Sequence, residues 1–329
     1  MKVQHIIGAD LSKKTIDLFC YQLSTYIQIE NASLGFTTLV KWMREQNING
    51  SNTMIVMEHT GLYSFCFENF LHQHHIPFCK VGALAIKKSM GIVRGKTDKL
   101  DAARIATYGY EKRDKLTADV PVDNALKRLQ MLYSTRERLV RQRAALINAV
   151  KEYEHIGINK TDIIMQAQLK LIKTFETQIQ KVMKEMQAVI EKQESLKQNY
   201  FLLKTVKGVG EVIALIMIIK TNNFTRFSNA RKFACFCGTA PFEHSSGTSI
   251  KRNSRVSPLA DKKMKSLLDL AAKSAIQNDK ELKGYYLKRT KGGKSKMSTI
   301  NVVRNKLLYR MFAVIKRQTP FVENYLQAA

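Results

Sequence analysis

Val3-Gln-His-Ile-Ile-Gly-Ala-Asp10 is a short apolar run that stops at a carboxylate, and Thr53-Met-Ile-Val-Met-Glu58 repeats the device further along the chain. Short runs rich in β-branched and aliphatic residues, bounded by polar ones, read as buried strands. Working outward, Thr15 to Gln22 is a second strand after the turn-like Ser12-Lys13-Lys14, and Tyr26 to Ile29 a third. Three short strands in succession predict an antiparallel meander. Phe36 to Glu45 has the apolar spacing of an amphipathic helix, and Thr53 to Met57 is a buried strand closing in Glu58. A helix from about Tyr63 to His72, a strand from Pro77 to Val81 and a helix containing Asp98, Asp101, Ala102, Ala103 and Ile105 complete the region.

Strand-strand-strand-helix-strand-helix-strand-helix is the order of an RNase H-like domain, assigned to residues 1–120. Residues 121–200 change character. Leu132, Leu139, Leu146 and Tyr153 recur every seventh position, and Ile172, Phe175, Ile179, Val182, Met186 and Val189 alternate steps of three and four. Two heptad helices joined near Gly157-Ile-Asn159 predict a coiled-coil helical hairpin, either a spacer packed on itself or an oligomerisation arm. Its first helix carries Arg136, Arg138, Arg141 and Arg143, a stripe suited to phosphates. Residues 201–329 read as a third, mostly helical domain. Gly208-Val-Gly210 opens an apolar helix and is similar to a phosphate-holding helix-hairpin-helix turn, although a structural turn explains it equally well. After Gly238 comes a polar, turn-prone segment, Thr239 to Ser249, followed by helices around Met264 to Ala275 and Ser298 to Lys316. The basic loop Lys288 to Lys296 contains Gly-Lys-Ser without the upstream glycine of a phosphate-binding P-loop, which excludes an ATPase of that type.

Charge narrows the function. The 329 residues carry 54 Lys plus Arg against 27 Asp plus Glu, a formal +27, and the sequence pI is near 9.9. So large an excess repels itself in a folded chain and points to a polyanionic partner. No apolar run is long enough to span a bilayer, and the N-terminus meets Asp10 too early for a signal peptide. A cytoplasmic nucleic-acid protein is the expectation. Cys20, Cys66, Cys79, Cys235 and Cys237 are an odd set without a Cys-x-x-Cys pair, which argues against a disulfide framework or a zinc ribbon. His72, His74 and His75 lack cysteine or carboxylate companions and read as a solvated helix end.

Four carboxylates carry the chemistry. Asp10 and Glu58 close two central strands, while Asp98 and Asp101 stand three apart on one helical face. Strand ends beside a helix face bring such oxygens together, and grouped carboxylates need hard cations, Mg²⁺ or Mn²⁺, to offset their repulsion. A pair of ions can activate the attacking oxygen and stabilise the leaving one in phosphodiester cleavage. Taken singly, each acid reads as a surface or capping residue; the four together, in this context, read as a site.

Gly8-Ala-Asp10 with Lys13-Lys14, Met57-Glu-His-Thr-Gly61 and Lys96-Thr-Asp-Lys-Leu-Asp-Ala102 resemble the DEDD transposases of bacterial insertion sequences, a family that includes Piv-like DNA invertases and bridge-RNA-guided recombinases. Gly208-Val-Gly210, Phe227 to Phe233, Gly238-Thr-Ala-Pro241 and His244-Ser-Ser-Gly247 resemble its second conserved region. The resemblance covers nearly the whole chain in the right order. It implies an α/β plus all-α architecture, with an N-terminal RNase H-like (RuvC-like) domain, a central coiled-coil hairpin and a C-terminal mostly helical domain. It implies that Asp10, Glu58, Asp98 and Asp101 bind metal. It implies that Ser245, from Pro-x-x-x-Ser-x-Gly with Ser246 adjacent, is a nucleophile forming a phosphoserine link to DNA. It further implies target and donor duplexes, a structured guide RNA, and a homo-oligomer, a dimer assembling to a tetramer. Two other readings use the same residues. A hydrolytic nuclease of Holliday-junction-resolvase type would use water and make Ser245 dispensable. A non-catalytic nucleic-acid-binding scaffold would keep its binding without Asp10 or Glu58.

Overall fold

The computed structural model describes residues 3–91, 95, 97–120, 122–246 and 250–323, and of residues 62, 243–246 and 250–255 the backbone alone. The chain divides into two compact units, Met1–Pro121 and Val122–Ala329.

The first unit is built on a five-stranded sheet: β1 (His5–Leu11), β2 (Thr15–Cys20), β3 (Thr25–Glu30), β4 (Thr53–Glu58) and β5 (Phe78–Val81), in spatial order β3-β2-β1-β4-β5. The meander pairs antiparallel, whereas β1, β4 and β5 run parallel through helical crossovers. This mixed order is RNase H-like. Strand alternation sorts the core. Ile7, Ala9 and Leu11 of β1, with Ile55 and Met57 of β4, share a buried cluster with Phe36, Leu39 and Trp42 of α1 (Ser33–Glu45) and Phe67 and Leu71 of α2 (Phe65–Gln73). The alternate residues, Ile6, Met54 and Val56, belong to a second cluster with Ile86 of α3 (Ala83–Ser89) and Ile105 of α4 (Asp98–Glu111). α4 lies very close to the sheet. A Cβ on Gly8 would stand 2.9 Å from Ala106 Cα and closer still to the Ala102 carbonyl and Ala106 nitrogen, and one on Gly109 would stand 2.8 Å from both Ile6 and Val56 methyls.

The second unit opens with two long helices, α5 (Asn124–His155) and α6 (Ile163–Glu191), capped by the Asp123 and Asp162 carboxylates. Ion pairs Arg128–Glu185 and Arg143–Glu176 show that they run antiparallel. Leu139, Val140, Leu146, Ile147, Ile172, Phe175 and Ile179 are only half-buried, which is what two helices alone can provide. At the open end of the pair, Leu126, Leu129, Leu132, Met186 and Ile190 enter one core with α7 (Glu194–Lys204), α8 (Glu211–Thr221), α9 (Ala230–Phe236), α10 (Lys262–Asn278), α11 (Lys280–Lys291) and α12 (Lys296–Arg317).

Three sequence readings change. Thr239 to Ser249 is not simply a turn-prone loop, because Pro241–Ser246 forms strand β6, paired antiparallel with β7 (Ile250–Val256). Lys288 to Lys291 is the last turn of α11 rather than a loop, placing cations at the negative end of a helix dipole. Gly208 has a packing reason: at φ 89 it sits against the Ala271 carbonyl and Ala275, where a side chain would collide.

Candidate active site

The alternation that buries Ile6 against α4 carries Asp10 to the same sheet face, and the alternation through Met54 and Val56 does the same for Glu58. α4 crosses that face with Ala102, Ile105, Ala106 and Gly109 buried, so its first turn, with Asp98 and Asp101, lies toward the strand ends. Thr97 is the N-cap: its hydroxyl accepts from Leu100 N–H at 3.2 Å. Asp98 therefore does not cap α4; it begins it. Both aspartates sit in the first turn of the helix. Asp10, Glu58 and Asp101 are half-buried and Asp98 is exposed. Arg104 pairs with Asp101 at 2.7 Å and also donates to the Gly95 carbonyl at 2.8 Å, tying α4 to the segment that leads into it.

The acids feel one another. Burial, and after it the charges of Asp101, Glu58, Asp98 and Asp17, push the Asp10 carboxyl up to about 6. Burial and then Asp101 raise Glu58. Among the described residues, no three His, Cys, Asp or Glu side chains converge closely enough to grip one ion. The two findings are compatible. Charges act on one another across a Debye length of about 8–10 Å, whereas ligation needs oxygens about 2.0–2.6 Å from a single ion. The donor set is nonetheless all oxygen and surplus in negative charge, and that chemistry fits a hard divalent cation better than a thiolate- or imidazole-seeking metal.

A fifth carboxylate escaped the sequence reading. Asp17 lies opposite Asp10 in the β1–β2 register and is 2% exposed. Its Oδ1 accepts from the Tyr26 hydroxyl at 2.5 Å and from Gln28 Nε2 at 3.0 Å. Burial, then the hydrogen bond and charge of Asp17 with the charge of Asp98, hold the Tyr26 hydroxyl up at about 12, so it remains a donor. The available signal was a lone carboxylate inside the apolar run Ile16-Asp17-Leu18, at the position that faces Asp10 across a two-residue-period ladder.

In the second unit the backbone of Ser245 lies in β6 opposite Lys251, and that of Ser246 opposite Ile250; their side chains fall outside the described atoms, and Gly247 outside the described residues. The root of this hairpin is clamped. Asn301 and Asn305 of α12 both donate to the Thr239 carbonyl at 2.9 Å, and the buried Thr239 hydroxyl donates to Asn305 Oδ1 at 3.0 Å. His72, His74 and His75 are exposed around the end of α2. All five cysteines are free, with Cys20, Cys79 and Cys237 buried.

Comparison with known proteins places this arrangement. Residues 7–153 match a DEDD transposase family of IS110 type, and residues 200–287 match the transposase IS116/IS110/IS902 family. Two curated relatives are similar along nearly the full length: the pilin gene-inverting proteins of Moraxella bovis and Moraxella lacunata, each 29% identical over 324 residues, covering 96% of this chain and 97% of the relative. DEDD-type transposase domains use divalent metal ions, and transposases and DNA invertases act on DNA. With both family regions present in order across most of its length, the chain belongs to the IS110 family of DEDD-type transposases and is a DNA transposase or recombinase.

Proposed function

We propose that the chain cuts and rejoins DNA strands of an insertion sequence by transesterification, using the four acids of the first unit and Ser245 of the second. One observation carries the acidic half of the reading: Asp10 is held up near pH 6 by burial and by carboxylates on the same sheet face and helix turn. Asp10, Glu58, Asp98 and Asp101 would hold Mg²⁺ or Mn²⁺, which supplies charge neutralisation and Lewis acidity at the scissile phosphate. Ser245 Oγ attacks phosphorus and forms a phosphoserine ester. The departing strand end leaves as a hydroxyl, taking up the proton that the serine gives away. In rejoining, a strand hydroxyl attacks the phosphoserine, the serine regains its proton, and one phosphate ester replaces another without ATP. Asp101 is held in place by Arg104, and Tyr26 and Gln28 hold Asp17 beside Asp10.

The formal +27 supports a partner with many phosphates, both target and donor DNA and a structured guide RNA whose base pairing reads sequence while the protein grips backbones. The half-buried apolar seam of α5 and α6 supports a coiled-coil arm at 121–200 between a catalytic domain at 1–120 and a serine-bearing domain at 201–329, within a dimer that assembles to a tetramer. A DNA substrate of this kind puts the protein in the bacterial cytoplasm, with the nucleoid.

The test combines purified protein, flanking non-coding RNA, and labelled target and donor DNA with Mg²⁺. Protein covalently joined to DNA, lost in both Asp10→Ala and Ser245→Ala, is the expected result. Free ends that persist in Ser245→Ala, with Ser246→Ala and the double variant as controls, would leave a metal-dependent hydrolytic nuclease. Binding with no metal-dependent chemistry would leave a scaffold.

A further inference from the structure

Asp10 and Glu58 are not tied to each other by the sheet. The parallel β1–β4 ladder runs from His5 opposite Thr53 to Ala9 opposite Met57 and ends there, one residue short of both acids. Each acid is instead registered with its outer neighbour, Asp10 with Asp17 on β2 and Glu58 with Val81 on β5. Beyond the acids the two strands lead into separate turns, and one side chain bridges them. Asn31, just past the end of β3, donates from Nδ2 to the Ser12 carbonyl and to the Tyr63 carbonyl, both at 2.9 Å. Ser12 lies two residues after Asp10, and Tyr63 five after Glu58. The Asn31 backbone N–H donates to the Lys14 carbonyl at 2.8 Å, which fixes the side chain over the β1–β2 turn. The Glu58 side of the bridge is itself anchored. Tyr63 belongs to the short helical turn Gly61–Ser64, where Ser64 Oγ meets buried Glu68 at 2.6 Å and Glu68 pairs with Lys80 of β5 at 2.9 Å.

The orientation of the Asn31 amide is set, since turned over it would press Oδ1 against two carbonyl oxygens. As placed, both amide hydrogens are used, and Oδ1 is buried without a hydrogen-bond partner among the described residues. What the side chain contributes here is therefore its two donated bonds, one to each turn. We propose that Asn31 is a positioning residue: its amide holds the turn after β1 and the turn after β4 at a fixed separation, and thereby sets the distance between the Asp10 and Glu58 carboxylates. This rests on the reading of those two acids as cation ligands.

The test is calorimetric titration of Mn²⁺ into the full chain without nucleic acid, alongside thermal midpoints in the absence of added cation. Asn31→Leu removes both donors together with the stranded acceptor at similar volume. Its midpoint is expected to stay close to wild type while Mn²⁺ affinity falls about 10- to 100-fold, the range for residues that orient ligands. Asn31→His, which keeps one ring N–H for one of the two carbonyls, is expected to fall between. If Asn31→Leu keeps its midpoint and binds Mn²⁺ within about twofold of wild type, the inference is overturned. Should Asn31→Leu unfold, Asn31→His decides: wild-type affinity overturns the inference, and weakened affinity at an unchanged midpoint supports it. Asp10→Asn separates the two levels, because unchanged Mn²⁺ binding in that variant would remove the ligand reading itself, whatever Asn31 does.

Discussion

Replacing Gly8 by alanine should separate the two halves of the acidic site. The new Cβ would lie 2.9 Å from Ala106 Cα and nearer to the Ala102 carbonyl, both in the backbone of α4, which cannot swing aside as a side chain can. Carbon atoms in contact settle at about 3.5–4.0 Å, so α4 must retreat from β1 by roughly 1 Å. Overpacking of this kind costs about 1–3 kcal/mol. The functional loss should persist where the variant is still folded. Asp98 and Asp101 ride on α4 while Asp10 and Glu58 stay with the sheet, and a displacement of about 1 Å at a reacting centre costs on the order of 10²-fold in rate. Gly82→Ala is the matched control, since Gly82 has φ −69 and nothing within 4 Å of its Cβ position. Thermal midpoints, Mn²⁺ titration and DNA cleavage would be measured on both variants at a temperature where both are folded. A folded Gly8→Ala protein with wild-type cation affinity and cleavage would refute the reasoning, because α4 could not then be seated on β1 as described.

Other outcomes follow from the same geometry. Because Asp10 holds its proton more tightly in the folded chain than at its ordinary value of 3.8, the cation-free protein should lose stability as pH rises from about 4 through about 6. Mn²⁺ should bind with proton release near pH 6, read as a buffer-dependent binding enthalpy. Asp279 behaves in the opposite sense. Burial would raise its carboxyl, but the Leu282 N–H and the Arg310 guanidinium outweigh burial and hold it below the usual carboxylate range. Its contribution is complete above the unfolded value and is lost as pH falls through the depressed folded one. Arg310→Met should therefore cost about 2–3 kcal/mol at neutral pH, less than a fully enclosed pair, with the cost shrinking in acid unfolding. A thiol reagent should modify exposed Cys66 first and reach Cys20, Cys79 and Cys237 only on unfolding, as mass spectrometry of timed samples would show.

The strand order of the first unit was legible because each central strand is an apolar run with a polar stop, and because buried parallel strands need no alternation to be recognised. The grouping of the four acids on one face follows from the same two periods, two along β1 and β4 and 3.6 along α4. What escaped has physical causes. α3 is seven residues with one buried side chain, too short for periodicity to register. Strands β6 and β7 form a two-stranded ribbon written in Phe-Glu-His-Ser-Ser and Lys-Arg-Asn-Ser-Arg, and polar residues of that kind read as a loop. The whole of α11 was lost among its lysines, since charge carries no helical period. Asp17 left only the mark of a lone carboxylate in an apolar run, and Asn31 left none, because its importance lies in a bridge between turns that no local spacing encodes.

The antiparallel pair α5–α6 has a mechanical consequence. Its hold on the core lies at one end, through Leu126, Leu129, Leu132, Tyr133, Met186 and Ile190. Beyond Tyr133, α5 continues to His155, a reach of about 33 Å at 1.5 Å per residue, close to one turn of duplex DNA at about 34–36 Å. A stiff rod rooted at one end is a lever. A tilt of about 10° where it leaves the core would carry its tip roughly 6 Å, about the size of a one-turn helix ratchet and well beyond the shifts of about 1–2 Å common at switching interfaces. Small repacking around Leu132 and Met186 is thereby amplified into displacement at Gly157, so side chains deep in the base of the pair govern where its far end can be.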